Sequence, residues 1–110
     1  MIIDIYTKNP DGLLALITES VSGNKSPHME LWELVSEKGI DFLTLRDIKY
    51  FYKVLLKPEV IEGIKVRFTF EFHEYSDHRL SVKAEYVGKF TECIIYHFVT
   101  EIRGIQVFPV

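Results

Sequence analysis

The chain has 110 residues, 47% of them hydrophobic and 14% aromatic, with a formal net charge of −3 at pH 7. That length and apolar content exclude a disordered chain and suit a single domain over residues 1–110, with one continuous core. A net negative charge gives no global positive field for a nucleic-acid backbone, and no apolar stretch approaches the roughly 20 residues that span a bilayer, so neither nucleic acid nor membrane is an expected partner.

Residues 1–7, MIIDIYT, are isoleucine-rich and bounded by Asn9-Pro10, which predicts a strand followed by a helix start. Asn9 supplies the cap, Pro10 the first helical position, and Leu13, Leu14, Leu16, Ile17 and Val21 the apolar face. Ser26-Pro27 repeats the cap-then-proline signal and predicts a second helix to about Lys38, closed by Gly39 in the left-handed conformation. A short apolar piece, IDFL, connects to a third helix. Thr44 and Asp47 open it with capping-box spacing, Leu45, Ile48, Tyr52 and Leu55 give it an apolar side, and Pro58 stops it after about Leu56.

From Gly63 the period changes to two. Ile64, Val66, Phe68, Phe70 and Phe72 alternate with polar residues, as do Leu80, Val82, Ala84 and Tyr86, which predicts an antiparallel pair with Phe72 opposite Leu80 and Phe70 opposite Val82. In KFTECIIYHFVTEIRG the β-branched and aromatic content favours a further long strand, although Phe90, Ile94, His97, Phe98 and Ile102 also fall at helical spacing. GIQVFPV predicts a short last strand, placed at an edge or terminus by Pro109. The expected fold class is α+β, with three helices packed on one face of a predominantly antiparallel sheet in the order β-α-α-α, then a C-terminal β-meander. The alternative is a curved meander that encloses a small-molecule pocket with the helices.

The stretch FEFHEYSDHR gathers Glu71, His73, Glu74, Asp77 and His78. Two histidines with nearby carboxylates suit a divalent cation, so Glu71, His73 and His78 are the alternative metal ligands. The predicted register instead places Glu71 and His73 on the solvent face and His78 in a loop, without rigid mounting, and a solvated hairpin tip is preferred. Cys93 and His97 lie four apart, but no third group orients them for nucleophilic catalysis, and Cys93 sits among Ile94, Ile95 and Phe98 like a small core residue. As the lone cysteine it makes no internal disulfide, and no charged-then-apolar leader is visible, which makes the cytoplasm the expected compartment. Phosphate-cradling loops, paired-cysteine zinc patterns and nucleophile elbows are absent from the sequence. No catalytic residue and no cofactor are expected.

Charge divides the chain. Residues 1–41 carry seven acids against three lysines, whereas the remainder carries ten bases and nine acids. On the predicted second helix Glu30, Glu33 and Glu37 form an acidic stripe beside Met29 and Trp32, the mixture of aromatic anchor and charged rim found in protein interfaces. The predicted third helix carries a basic stripe of Arg46, Lys49, Lys53 and Lys57 flanking Tyr50, an alternative patch for an acidic or phosphate-bearing partner. The expected function is a small cytoplasmic protein-binding module that inhibits or neutralises a partner, as bacterial immunity proteins and antitoxins do. A basic partner such as a nuclease toxin domain suits the acidic surface. The alternative is a small enzyme or ligand-binding domain using His73 and its neighbours, or a pocket around Tyr96 and His97.

Overall fold

Asn9 and Pro10 divide the first strand from the first helix as their chemistry requires. In the computed structural model, which describes residues 1–109, β1 (Ile2–Tyr6) leads into α1 (Pro10–Val21). Pro10 occupies the first turn, and the Gly12 N–H donates to Asn9 Oδ1 at 3.1 Å. Leu13, Ile17 and Val21 are buried along the inner side of α1.

The expected second helix does not form. Trp32–Glu37 is a strand, β2, joined to β3 (Ile40–Leu45) by a two-residue turn. Lys38 and Gly39 both have positive φ, 53° and 79°. That is the requirement of a type I′ hairpin, whose twist matches its strands. Gly39 thus takes the expected left-handed conformation, but to turn a hairpin rather than to close a helix.

The third helix is absent as well. Successive turns carry the chain from Arg46 to Lys53, leaving Ile48 95% exposed, before β4 (Leu55–Ile61) begins. Leu43 with Leu56 is the one register pair between β3 and β4. At Pro58, β4 therefore has no neighbour on its β3 side and behaves as an edge strand, where a missing N–H is tolerated.

In β5 (Lys65–Glu71) the predicted alternation holds, with Val66, Phe68 and Phe70 buried and the intervening residues half-buried. Its partners differ from those predicted. Phe70 lies opposite Leu56 instead of Val82, and Phe68 lies opposite Pro58 on one side and Ile3 on the other. Residues read as two further strands form one helix, α2 (Leu80–Phe98), ending in a 3₁₀ turn, Val99–Glu101. Its buried residues are Val82, Tyr86, Phe90, Ile94 and Phe98, one every four positions. Burying that stripe outweighs the strand preference of individual β-branched residues, a preference that depends on packing context. The last strand, β6 (Gly104–Phe108), forms at a sheet edge as expected.

The fold is thus α+β with two helices, not three. Its six-stranded sheet has the order β2-β3-β4-β5-β1-β6, and every pairing is antiparallel. Both helices cover the same face, because Leu13, Ile17 and Val21 of α1 and the inner residues of α2 join one buried cluster with Ile3, Ile5, Val66, Phe68 and Phe70. The sheet and helices enclose packed aromatics. Trp32 stands edge-on to Tyr86 and Phe90, with ring centroids 5.9 and 5.3 Å apart, and Phe90 meets Phe68 at 4.7 Å. Among the described residues no helix is long and apolar enough to cross a membrane.

An ion cluster braces the other face. Asp4 is fully buried and accepts two hydrogen bonds from Arg67, at 2.9 and 3.0 Å, and one from Lys65, at 2.9 Å. The Arg67 hydrogen bonds, helped by Lys65, hold the Asp4 carboxyl below its ordinary value against the opposing effect of burial.

Candidate functional site

The connection between β3 and β4 is short of regular structure but rich in fixed hydrogen bonds. Asp47 Oδ1 accepts from the Lys49 N–H at 2.9 Å, and the Asp47 carbonyl accepts from the Tyr50 and Phe51 N–H groups, which tightens the chain into turns. Tyr52 follows with φ 64°, a left-handed conformation that costs energy for a residue with a Cβ. The surroundings hold it there. Its N–H donates to the Thr44 hydroxyl at 3.1 Å, and that buried hydroxyl also lies 3.1 Å from the Val54 carbonyl and 3.0 Å from the Tyr86 oxygen. Tyr86 in turn donates to the Tyr50 carbonyl, so α2 clamps the loop from beneath.

His73, two residues past β5, is part of the same construction. Its Nδ1 accepts from the Tyr75 N–H at 3.1 Å, which leaves the proton on Nε2 to be donated to the Tyr52 carbonyl at 3.0 Å. Both ring nitrogens are thereby committed to backbone. The imidazole serves as a wall, packed against Tyr52 at 4.9 Å and Tyr75 at 6.1 Å between centroids, while Phe51 meets Tyr52 at 5.6 Å.

These rings line a cleft of about 400 Å³, whose remaining lining is Glu37, Lys53 and Glu74. Tyr75 is 78% exposed at its mouth. The Glu37 carboxylate shares the cleft with the Tyr52 phenol and, with burial adding, raises it above its ordinary value. The cleft offers several π faces beside two carboxylates, a combination suited to a cation. Lys53 is the cation already on its rim.

A second cleft, of about 360 Å³, lies between the segment before β2 and the outer side of α2, and its lining includes His28, Glu30, Cys93, Tyr96 and His97. Cys93 and His97 share α2, where a strand was expected, and Tyr96 with His97 lines the cleft. Burial, with Glu92 adding, pushes the Cys93 thiol up to about 11. At neutral pH it is a thiol and not the thiolate that attacks electrophiles.

The residues expected to bind a partner are dispersed. Met29 and Trp32 are 1% and 0% exposed, so Trp32 is a core residue and cannot anchor a partner. Glu30 faces solvent beside the second cleft, while Glu33 and Glu37 sit on one side of β2, roughly 13 Å apart at the rise of an extended chain. Of the three, Glu37 reaches the aromatic cleft. The basic stripe is broken up too. Arg46 donates to the Trp32 carbonyl at 3.1 Å, Lys49 lies 5.4 Å from the Tyr50 ring centre, Lys53 lines the cleft and Lys57 lies in β4.

Glu71, His73 and His78 are not gathered into a ligand set. Glu71 ends β5, His73 is locked as described, and His78 stacks on Phe72 with centroids 4.2 Å apart. Among the described residues no three histidine, cysteine, aspartate or glutamate side chains are grouped to hold a metal ion. Asp77 is occupied by Arg79, whose hydrogen bonds draw its carboxyl down to about 2. Sequence reasoning singled out His73 and Glu74, both of which line the aromatic cleft, but missed Phe51, Tyr52 and Tyr75 as site residues. The available signal was YFY between two lysines in a stretch whose helical face is incomplete. Comparison with known proteins finds no match to any family model, curated protein or solved structure.

Proposed function

We propose that this chain is a small cytoplasmic protein-binding module that inhibits or neutralises a basic partner, in the manner of immunity proteins and antitoxins, by capturing a cationic side chain of that partner in the Tyr52 cleft. The observation that carries the reading is the set of Phe51, Tyr52, His73 and Tyr75 rings lining one cleft with Glu37 and Glu74. A guanidinium or ammonium group is attracted by ring faces and carboxylates together, with each ring worth about 0.5–2 kcal/mol according to how far the cation is desolvated. Arginine fits better than lysine because its planar group both stacks and donates in two directions. The clamps from Thr44 and Tyr86 order the loop in advance, so that little conformational entropy remains to be lost on binding. The acidic balance of residues 1–41 adds attraction at longer range.

The test is an NMR titration with a short arginine-rich peptide and with the same peptide carrying citrulline, the neutral isostere, in place of arginine. Saturable shifts centred on residues 51–53 and 73–75 are expected with the first peptide and not with the second. Tyr75→Ala is expected to weaken binding about 5-fold, equivalent to one ring face of about 1 kcal/mol. Equal responses to both peptides, or shifts centred elsewhere, would refute the reading.

A further inference from the structure

The two edges of the sheet are unlike. Edge strand β2 carries Glu33 and Glu37, and a second copy aligned on it would face their charges, a common guard against edge-to-edge pairing. Edge strand β6 has no such guard. From Gly104 to the last residue, GIQVFPV, there is no charged side chain, and Val107 and Phe108 are 36% and 37% exposed.

The register on β1 fixes which way each β6 residue points. Ile105 and Val107 stand opposite Ile5 and Ile3, on the helix side, and Gly104, Gln106 and Phe108 stand opposite Tyr6, Asp4 and Ile2, on the other side. Aligning a second β6 antiparallel about Gln106 makes these sets self-complementary. Gly104 then faces Phe108 of the second copy, Ile105 faces Val107, and Gln106 faces its own equivalent. A pairing shifted by one residue sets one face against the other, and a shift of one residue in the centre strands Phe108 or Gly104 without a partner. Gly104 has no atom within 4 Å of where a Cβ would stand, so the space over it is open to an aromatic ring from across the strand. A ring covering a glycine in this way is a recurrent means of completing a weak strand position.

We infer that the chain forms a symmetric dimer through β6, giving a continuous twelve-stranded sheet. The dimer leaves β2, and with it Glu37 of the aromatic cleft, on the two outermost strands. The inference stands on the edge itself and is independent of the ligand proposed for the cleft.

Sedimentation of the full chain over a concentration series is expected to show a monomer–dimer equilibrium. Gln106→Lys places two like charges face to face at the centre of symmetry and is expected to raise the dimer dissociation constant at least about 10-fold. Circular dichroism identifies the variant as folded, and Val107→Lys is the substitute if it is not. In a Cys93→Ala background, Gln106→Cys should form an intermolecular disulfide under mild oxidation, because residues directly opposed in an antiparallel pair lie roughly 4.5–5.5 Å apart at Cα. Glu33→Cys on the opposite edge should not. A chain that remains monomeric throughout the series, a dimer that survives both lysine variants, or equal cross-linking from both edges would overturn the inference.

Discussion

Replacing Trp32 by alanine tests the identity of β2 directly, because the side chain is fully buried in the strand and would be half exposed on a helix. A buried tryptophan removes about 150–250 Å² from water, worth about 4–6 kcal/mol at roughly 25 cal/mol/Å². Its edge-on contacts with Tyr86 and Phe90 add about 0.5–1.5 kcal/mol each. One term opposes these. Among the described residues the buried Nε1–H has no hydrogen-bond partner, a burden of about 1–3 kcal/mol that truncation removes. The expected net loss is about 3–5 kcal/mol, in line with other large-to-small changes in packed cores. Trp32→Phe keeps a ring and discards the orphan donor, so it should cost less than about 1.5 kcal/mol. Urea titration followed by far-ultraviolet circular dichroism is the suitable assay, since Trp32 is the single tryptophan and its removal abolishes the fluorescence signal. A loss below about 1 kcal/mol for Trp32→Ala with an unchanged denaturant slope would refute the buried strand. A phenylalanine variant as damaged as the alanine variant would refute the role given to Nε1–H.

The ion cluster and the central strand give two further expectations. Asp4→Asn should cost about 2 kcal/mol at pH 7, less than a wholly buried pair because Lys65 and Arg67 are partly exposed and can rehydrate. Asp4 has a folded pKa below its ordinary 3.8, so the unfolded chain binds the proton first. Its contribution is therefore present above about pH 4 and lost as pH falls through the folded pKa, and acid titrations of stability should be flatter in Asp4→Asn in that range. In β5, Phe70→Ala should cost about 3–5 kcal/mol and Thr69→Ala less than about 1 kcal/mol in urea titrations. Equal losses would mean that the faces of β5 are wrongly assigned.

Where one local signal dominated, the sequence was readable. The Asn9-Pro10 start, the isoleucines of β1, the alternation of residues 65–71 and the neutral tail each admit one interpretation, and each element forms. The stretch from Trp32 to Glu37 admits two. Glu30, Glu33 and Glu37 recur at helical spacing, yet Trp32 and Leu34 against Glu33 and Glu37 also alternate, and a positive φ at Lys38 cannot be seen from lysine. What decides is IDFL downstream, which pairs residue for residue across the turn. Residues 80–98 show the converse, since alternation in Leu80–Tyr86 and a four-residue repeat in Phe90–Phe98 coexist. Tyr86 lies on both patterns, and its contacts with Trp32 and Thr44 form only when the helix continues through it. The aromatic cleft was hidden for another reason. Its walls come from residues 51–52 and 73–75, joined by a hydrogen bond from His73 to a backbone carbonyl, which carries no residue-specific trace.

The placement of β1 also governs the order in which the chain can assemble. It is an inner strand, yet its neighbours begin at Lys65 and Gly104, so neither flank is paired until much later sequence is available. During synthesis at about 5–20 residues per second, the roughly 60 residues between β1 and β5 leave Ile2, Ile3 and Ile5 without their strand partners for about 3–12 s. The β2–β3 hairpin, with its two-residue turn, closes within microseconds of emerging. The hairpin is thus within reach of local closure while the sheet centre is still unfinished, although two strands alone are only marginally stable, and α1, directly attached to β1, is the nearest apolar surface to shelter those isoleucines in the interval.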